Sequence, residues 1–255
     1  MPITAVLFDL DGTLLPMDQE LFAKTYFTSI AKYVAPRGYE FDSLIKGIWA
    51  GTKAMMKNTG EKRNDTVFWE TFASLFGNRV YNDMPTFDRF YAEHFDDIAP
   101  VCGHDARAAR AVRLCRERGR KTVLATNPIF PKIATVKRMG WAGLVPEDFD
   151  LFTTYEDSYY CKPNPAYYTT ILDELGLTPE ECLMVGNDVG EDMIARELGM
   201  QVFLLTDCII NRKDADISVY PHGGFDALLA FLDEKLVGTS KNSIGERAVR
   251  KFFVR

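Results

Sequence analysis

From about Ala99 onward, short runs that are apolar at nearly every position alternate with amphipathic stretches that stop at glycine. Thr122 to Ala125 and Cys182 to Val185 are such runs. A strand apolar on both faces has to be covered on both faces, which is the condition of a parallel sheet sandwiched by helices. The intervening stretches predict helices over Asp105 to Arg118, Pro131 to Met139, Pro165 to Leu175 and Asp192 to Leu198. Each is followed by a glycine able to take the left-handed closing conformation: Gly119, Gly140, Gly176 and Gly199. Further strands are expected near Leu151 to Thr154 and over Gln201 to Leu205, and a last helix over Phe225 to Leu236. Strand, helix, strand in this rhythm implies right-handed crossovers. The fold class is therefore α/β, a doubly wound, Rossmann-like parallel sheet.

One more strand stands apart at the start. Ala5-Val6-Leu7-Phe8 is fully apolar and stops at Asp9-Leu10-Asp11-Gly12-Thr13. Between it and the alternating region, residues 16–97 are aromatic-rich and helical in rhythm. Leu21 to Val34, Phe41 to Met56 and Thr66 to Phe76 carry apolar residues at helix-like intervals. The expected organisation is a core of two pieces, residues 1–15 and 98–236, with a helical insertion over 16–97 and a polar, basic tail over 237–255. The aromatics of the insertion, including Phe22, Tyr26, Phe27, Tyr33, Trp49, Trp69 and Phe72, are expected to form its own core.

In open sheets of this kind ligands bind beyond the carboxyl ends of the strands. Four polar clusters fall there. Asp9 and Asp11 are two residues apart on an extended segment and point the same way, so they repel unless a cation or a proton intervenes. Thr126 and Asn127 follow the second strand and offer a hydroxyl and a backbone N–H to an anion. Lys162 stands in Cys161-Lys162-Pro163 between a strand and a helix. Gly186-Asn187-Asp188-Val189-Gly190-Glu191-Asp192 places three acids after an apolar strand, a hard-oxygen set suited to Mg²⁺. Each has an ordinary structural use as well: turn, N-cap, solvated loop lysine, and acids at a helix N-terminus.

Together these segments resemble the haloacid dehalogenase superfamily, in that family's order. Asp9 and Asp11 match its first motif, Thr126 its second, Lys162 its third, and Asp188 with Asp192 its fourth. The resemblance implies phosphoryl transfer through an aspartyl phosphate, with a helical cap between the first and second motifs. It implies Asp9 as nucleophile and Asp11 as general acid and base. Thr126, Asn127 and Lys162 would hold the phosphate, and Mg²⁺ would lie on Asp9, Asp11 and Asp188. The commoner fourth motif has Asp directly after Gly, and here that position is Asn187, so either Asn187 takes the metal-ligand position or Asp188 does in a shifted register. Asp188 is the better ligand because a carboxylate neutralises Mg²⁺ better than an amide. Asp192 then serves as a partner of a metal-bound water or of Lys162.

A dehalogenase fits poorly, because it needs no second acid and Asp11 is present. A phosphomutase on the same fold, or a binding protein that has lost turnover, remain the alternatives. The expected partner is a small phosphorylated metabolite, its identity open, as is the oligomeric state. A net charge of −6 and a pI of about 5.2 argue against nucleic acid. No apolar run approaches a membrane span. His94, His104 and His222 have no metal-like spacing. Five cysteines without a C-x-x-C pair, and no basic-then-apolar start, suggest reduced thiols and a cytoplasmic location.

Overall fold

A computed structural model describes residues 1–236, and the tail at 237–255 lies outside the described residues. Six strands form one sheet: β1 (Ala5–Phe8), β2 (Lys121–Leu124), β3 (Leu151–Phe152), β4 (Cys182–Gly186), β5 (Gln201–Leu205) and β6 (His222–Gly223). Their order is β3-β2-β1-β4-β5-β6, and every pairing is parallel. The N-terminal strand is central. Phe8 pairs with Leu124 on one side and Val185 on the other, so the strands that carry the polar clusters end side by side.

The two faces of the sheet are covered separately. Val6 and Phe8 point into a core shared with Val112 of α5 (Ala106–Glu117) and Leu228 of α8 (Phe225–Lys235). Ala5 and Leu7 point the other way, against Tyr168 and Ile171 of α7 (Pro165–Leu175). This period-two division explains why β1 is apolar at every position. Each large side chain so buried contributes about 1.5–3 kcal/mol. The helix α7 begins on the Asn164 side chain, which accepts from Ala166 N–H, and closes at Gly176 in the left-handed region, φ 64°.

Between β1 and α5 the chain forms four further α-helices: α1 (Gln19–Val34), α2 (Phe41–Met56), α3 (Asn64–Phe76) and α4 (Arg79–Glu93). The apolar side chains of these helices join the same core as Val6 and Phe8. Phe22, Tyr26, Trp69 and Phe72 are buried as expected, whereas Trp49 is 54% exposed.

Four local expectations need correction. The helix α6 (Lys132–Trp141) runs through Gly140, which stays helical, and the left-handed closing residue is Gly143, φ 74°. The segment after Asp192 is a 3₁₀ helix, Met193–Leu198, not an α-helix. It is short, and the Asp192 side chain turns inward instead of capping it. β3 stops at Phe152, and Thr153 turns its hydroxyl onto the Thr126 carbonyl at 2.6 Å. β6 was not foreseen, because a two-residue edge strand of His and Gly carries no apolar run. No helix of the described residues is long and apolar enough to cross a membrane.

Candidate active site

Asp9 continues the ladder of β1, its N–H donating to Val185 C=O at 2.9 Å. The chain then turns tightly: Thr13 N–H and Leu15 N–H both donate to Leu10 C=O. Gly12 has φ 87°, and a Cβ there would lie 2.3 Å from Asn187 Nδ2. The turn therefore requires glycine for two reasons, the left-handed backbone and the contact with the loop after β4. One Asp9 oxygen is 3.0 Å from Lys162 Nζ and the other 3.0 Å from the Thr13 hydroxyl. That hydroxyl is also 3.0 Å from Asn187 Oδ1, and it has one proton to donate between them.

Lys162 is almost fully buried and bridges two carboxylates, Asp9 at 3.0 Å and Asp192 at 2.6 Å. Burial by itself disfavours an ammonium, but Asp192 and Asp9 overcome it and hold the amine protonated, its pKa raised above the usual value. Asp192 reaches this position over Gly186, where a Cβ would stand 2.2 Å from its carboxyl group. Its second oxygen accepts from Asp188 N–H at 3.0 Å. Asp192 is thus ion-paired with Lys162.

The fourth cluster separates into distinct duties. Asn187 spends both ends of its amide on the protein: Oδ1 faces Thr13, and Nδ2 donates to Cys208 C=O at 2.6 Å. Asp188 uses Oδ1 to accept from Gly190 and Glu191 N–H, while Oδ2 pairs with Arg212, whose side chain is 61% exposed. Asn127 does not aim its side chain at the cavity as a free donor. Its Oδ1 accepts from Lys162 N–H and its Nδ2 donates to Glu191 at 2.9 Å. Thr126 is buried in the same wall, its carbonyl taken by the Thr153 and Tyr167 hydroxyls.

Asp9, Asp11, Thr126, Asn127, Asp188 and Asp192 all line one cavity of 510 Å³ at the carboxyl ends of β1, β2 and β4, with Lys162 directly beneath. Two charged participants lie outside the four clusters: Arg138 and Arg212. Glu191 stood inside the fourth cluster, and its role was legible there only as one more acid. Arg138 sits in α6 with a fully buried side chain, pairs with Asp11 and stacks 4.4 Å over the Phe130 ring. Burial raises the Asp11 pKa against the pull of Arg138, and it also raises that of Glu191.

Around the cavity stand the carboxyls of Asp9, Asp11, Asp188, Glu191 and Asp192 against the cations Lys162, Arg138 and Arg212. The carboxyls outnumber the cations, so protons or a further cation must balance the site. Asp11 Oδ1 is a buried oxygen with no hydrogen-bond partner, an atom suited to a proton or to a ligand. No group of three acid, His or Cys side chains among the described residues makes a ready metal cage. Mg²⁺ does not need one: it is held by one or two carboxylates, with water and substrate phosphate completing its shell. The donors present fit that ion.

The chain is similar to several known proteins. The chain is 27% identical over 189 residues to pyrophosphatase PpaX of Bacillus cereus (strain B4264), covering 74% of this chain and 76% of the relative. A HAD phosphatase structure from Thermococcus onnurineus superposes with a TM-score of 0.55 at 20% identity, covering 91% of this chain and 97% of that one. The defluorinating L-2-haloacid dehalogenase Rha0230 superposes with a TM-score of 0.57 at 16% identity, over 91% and 95% of the two chains. At such identities these two structures speak for the fold alone. A model of haloacid dehalogenase-like hydrolases matches residues 3–199, a span that contains Asp9, Asp11, Thr126, Asn127, Lys162, Asp188 and Asp192, and the chain belongs to that family.

Proposed function

We propose that the protein is a Mg²⁺-dependent phosphatase that hydrolyses a small phosphate monoester through a phosphorylated Asp9. The observation that carries this reading is the pairing of two unlike carboxyls in one cleft. Asp9 is held between Lys162 and Thr13, while Asp11 beside it is raised by burial and has one unpartnered oxygen. A nucleophile has to be ionised and a general acid has to carry a proton, and different surroundings are how one site provides both. The pyrophosphatase relative supports phosphorus chemistry over dehalogenation, as does the presence of Asp11 itself.

An Asp9 oxygen attacks phosphorus, the bond from phosphorus to the ester oxygen breaks, and that oxygen takes the proton of Asp11. Water then attacks the acyl phosphate, gives its proton to Asp11, and releases phosphate and free Asp9. Lys162 and the Thr126 hydroxyl, with backbone N–H groups at Leu10 and Asn127, hold the phosphoryl oxygens. Mg²⁺, when bound, neutralises the repulsion between the carboxylates and a phosphate dianion. Asp9, Asp188 and the Asp11 backbone carbonyl would hold it. Asn187 is a poor candidate, because both ends of its amide are already hydrogen-bonded to the protein. Residues 16–97 act as a cap over a core formed by residues 1–15 and 98–236.

The test is release of 4-nitrophenol from 4-nitrophenyl phosphate by the purified chain. Turnover should stop in excess chelator and return with Mg²⁺ but not Ca²⁺, whose looser and larger shell spoils in-line geometry. Asp9→Asn should lower the rate by at least about 10³-fold with the fold intact, as expected for a covalent nucleophile. Full activity in chelator, or a near-normal rate from Asp9→Asn, would sink the proposal.

A further inference from the structure

Beyond Asp11 the catalytic cavity is continuous in its lining with a second one. This chamber has a volume of 250 Å³ and lies between the helical insertion and the segments that follow β1, β2 and β3, with Asp11, Gln19, Trp49, Thr52 and Ile129 common to both. Its walls are aromatic: Phe22, Tyr26, Phe68, Trp69, Phe87 and Phe130 are among them. Among the described residues no lysine, arginine or histidine lines it, and Asp11 is the only carboxyl that does. Arg138 stacks on Phe130 of its wall and is already committed to Asp11.

We infer that this chamber receives the leaving group of the substrate, and that the substrate is the phosphate monoester of an uncharged alcohol carrying one or two aromatic rings. The inference rests on the phosphatase reading and specifies its substrate class. Asp11 joins the two cavities, so an ester oxygen protonated by Asp11 has its carbon side facing the chamber. An anionic leaving group there would be buried without a counter-charge, which costs several kcal/mol. That excludes inorganic pyrophosphate and esters of hydroxy acids. A cavity of about 150 Å³ takes a single benzene ring, and drug-sized ligands occupy about 300 Å³ and more; 250 Å³ lies between.

Apart from Asp11, the polar groups lining the chamber are few and neutral. The Tyr26 and Tyr91 hydroxyls bond to each other at 2.7 Å. Trp69 is 7% exposed, and its Nε1–H lies near the Tyr155 hydroxyl without a well-formed hydrogen bond to it. A neutral oxygen or nitrogen on the ring system would satisfy it.

The experiment compares benzyl phosphate, ethyl phosphate, phosphoglycolate and pyrophosphate with the full chain and Mg²⁺. Benzyl and ethyl phosphate leave as alkoxides of comparable basicity, so their ratio reads the chamber and not the chemistry. Burying the ring should raise kcat/KM for benzyl over ethyl phosphate by about ten- to a hundred-fold. The two anionic leaving groups should fall below ethyl phosphate. Ala23→Phe, which narrows the chamber, should reduce the benzyl-to-ethyl ratio by about fivefold or more. An independent reading needs no turnover and no variant. Benzylphosphonate should change tryptophan emission from Trp49 and Trp69 at concentrations where ethylphosphonate does not. Equal kcat/KM for benzyl and ethyl phosphate, equal binding of the two phosphonates, or a preference for phosphoglycolate or pyrophosphate overturns the inference and leaves the phosphatase reading standing. Failure to turn over any of these esters, 4-nitrophenyl phosphate included, removes both.

Discussion

At the residue scale, the site is a set of charges that cannot be removed one at a time. Lys162 is buried between Asp9 and Asp192. Lys162→Met leaves two buried carboxylates without their cation, and should cost about 3–5 kcal/mol in urea unfolding as well as activity. Adding Asp192→Asn removes one of those stranded charges while keeping the acceptor for Asp188 N–H. The double variant should recover roughly half the lost stability and none of the turnover. If it is no more stable than the single variant, the stranded charge is not the cause. Asp11 is judged differently, by leaving group. An aryl phosphate leaves as a stabilised anion and an alkyl phosphate as a basic alkoxide. Asp11→Asn should therefore slow the first half-reaction by roughly 10²–10⁴-fold for alkyl esters and far less for aryl esters. Hydrolysis of the phosphorylated enzyme should slow for both, which single-turnover measurements with a trap for the intermediate detect. Equal first-step losses would remove the proton-transfer role from Asp11 and leave Asp9 untouched.

At the scale of elements, the site depends on how closely two loops approach. The turn after β1 and the loop after β4 touch at Gly12 and Asn187, and the β4 strand end lets Asp192 pass over Gly186. Gly186→Ala places a methyl 2.2 Å from the Asp192 carboxyl. The overpacking should cost about 1–3 kcal/mol. Because Asp192 anchors Lys162, kcat/KM should fall about 10²-fold from misplacement alone. A variant that keeps normal turnover while losing stability would show that Asp192 does not position Lys162. The α6 helix has a part in the same arrangement, because it carries Arg138 to Asp11 from the far side of the β2 strand end.

For the molecule as a whole, the helical insertion and one face of the sheet share a single core in which Tyr26, Tyr39 and Tyr91 are buried. Burial, partly offset by the Tyr91 hydroxyl, pushes the Tyr26 phenol up to about 12. An exposed tyrosine in the unfolded chain ionises near 10. The folded value is the higher one, so this contribution is complete below pH 10 and is lost as pH rises from about 10 to 12, by about 2–3 kcal/mol. Urea midpoints measured across that range should fall, and Tyr26→Phe should flatten part of the slope. A slope unchanged by the substitution would assign the alkaline loss to other groups.

The parallel sheet, the positions of its main strands and the convergence of Asp9, Asp11, Thr126, Lys162, Asp188 and Asp192 were legible in the sequence. Strand ends are set by local apolar runs, and parallel pairing brings the residues after them to one edge whatever the details of packing. Arg138 was not legible, since an arginine inside an amphipathic helix is ordinarily solvated, and only the docking of α6 against the strand ends buries it beside Asp11. Asn187 and Asp188 are adjacent and both polar, and what separates them is which neighbours occupy their side-chain atoms. The aromatics of residues 16–97 carry the periodicity of a core, and they are largely buried. Whether they close on one another or leave a chamber depends on how four helices meet the sheet, a matter of tertiary distance to which helical spacing is blind.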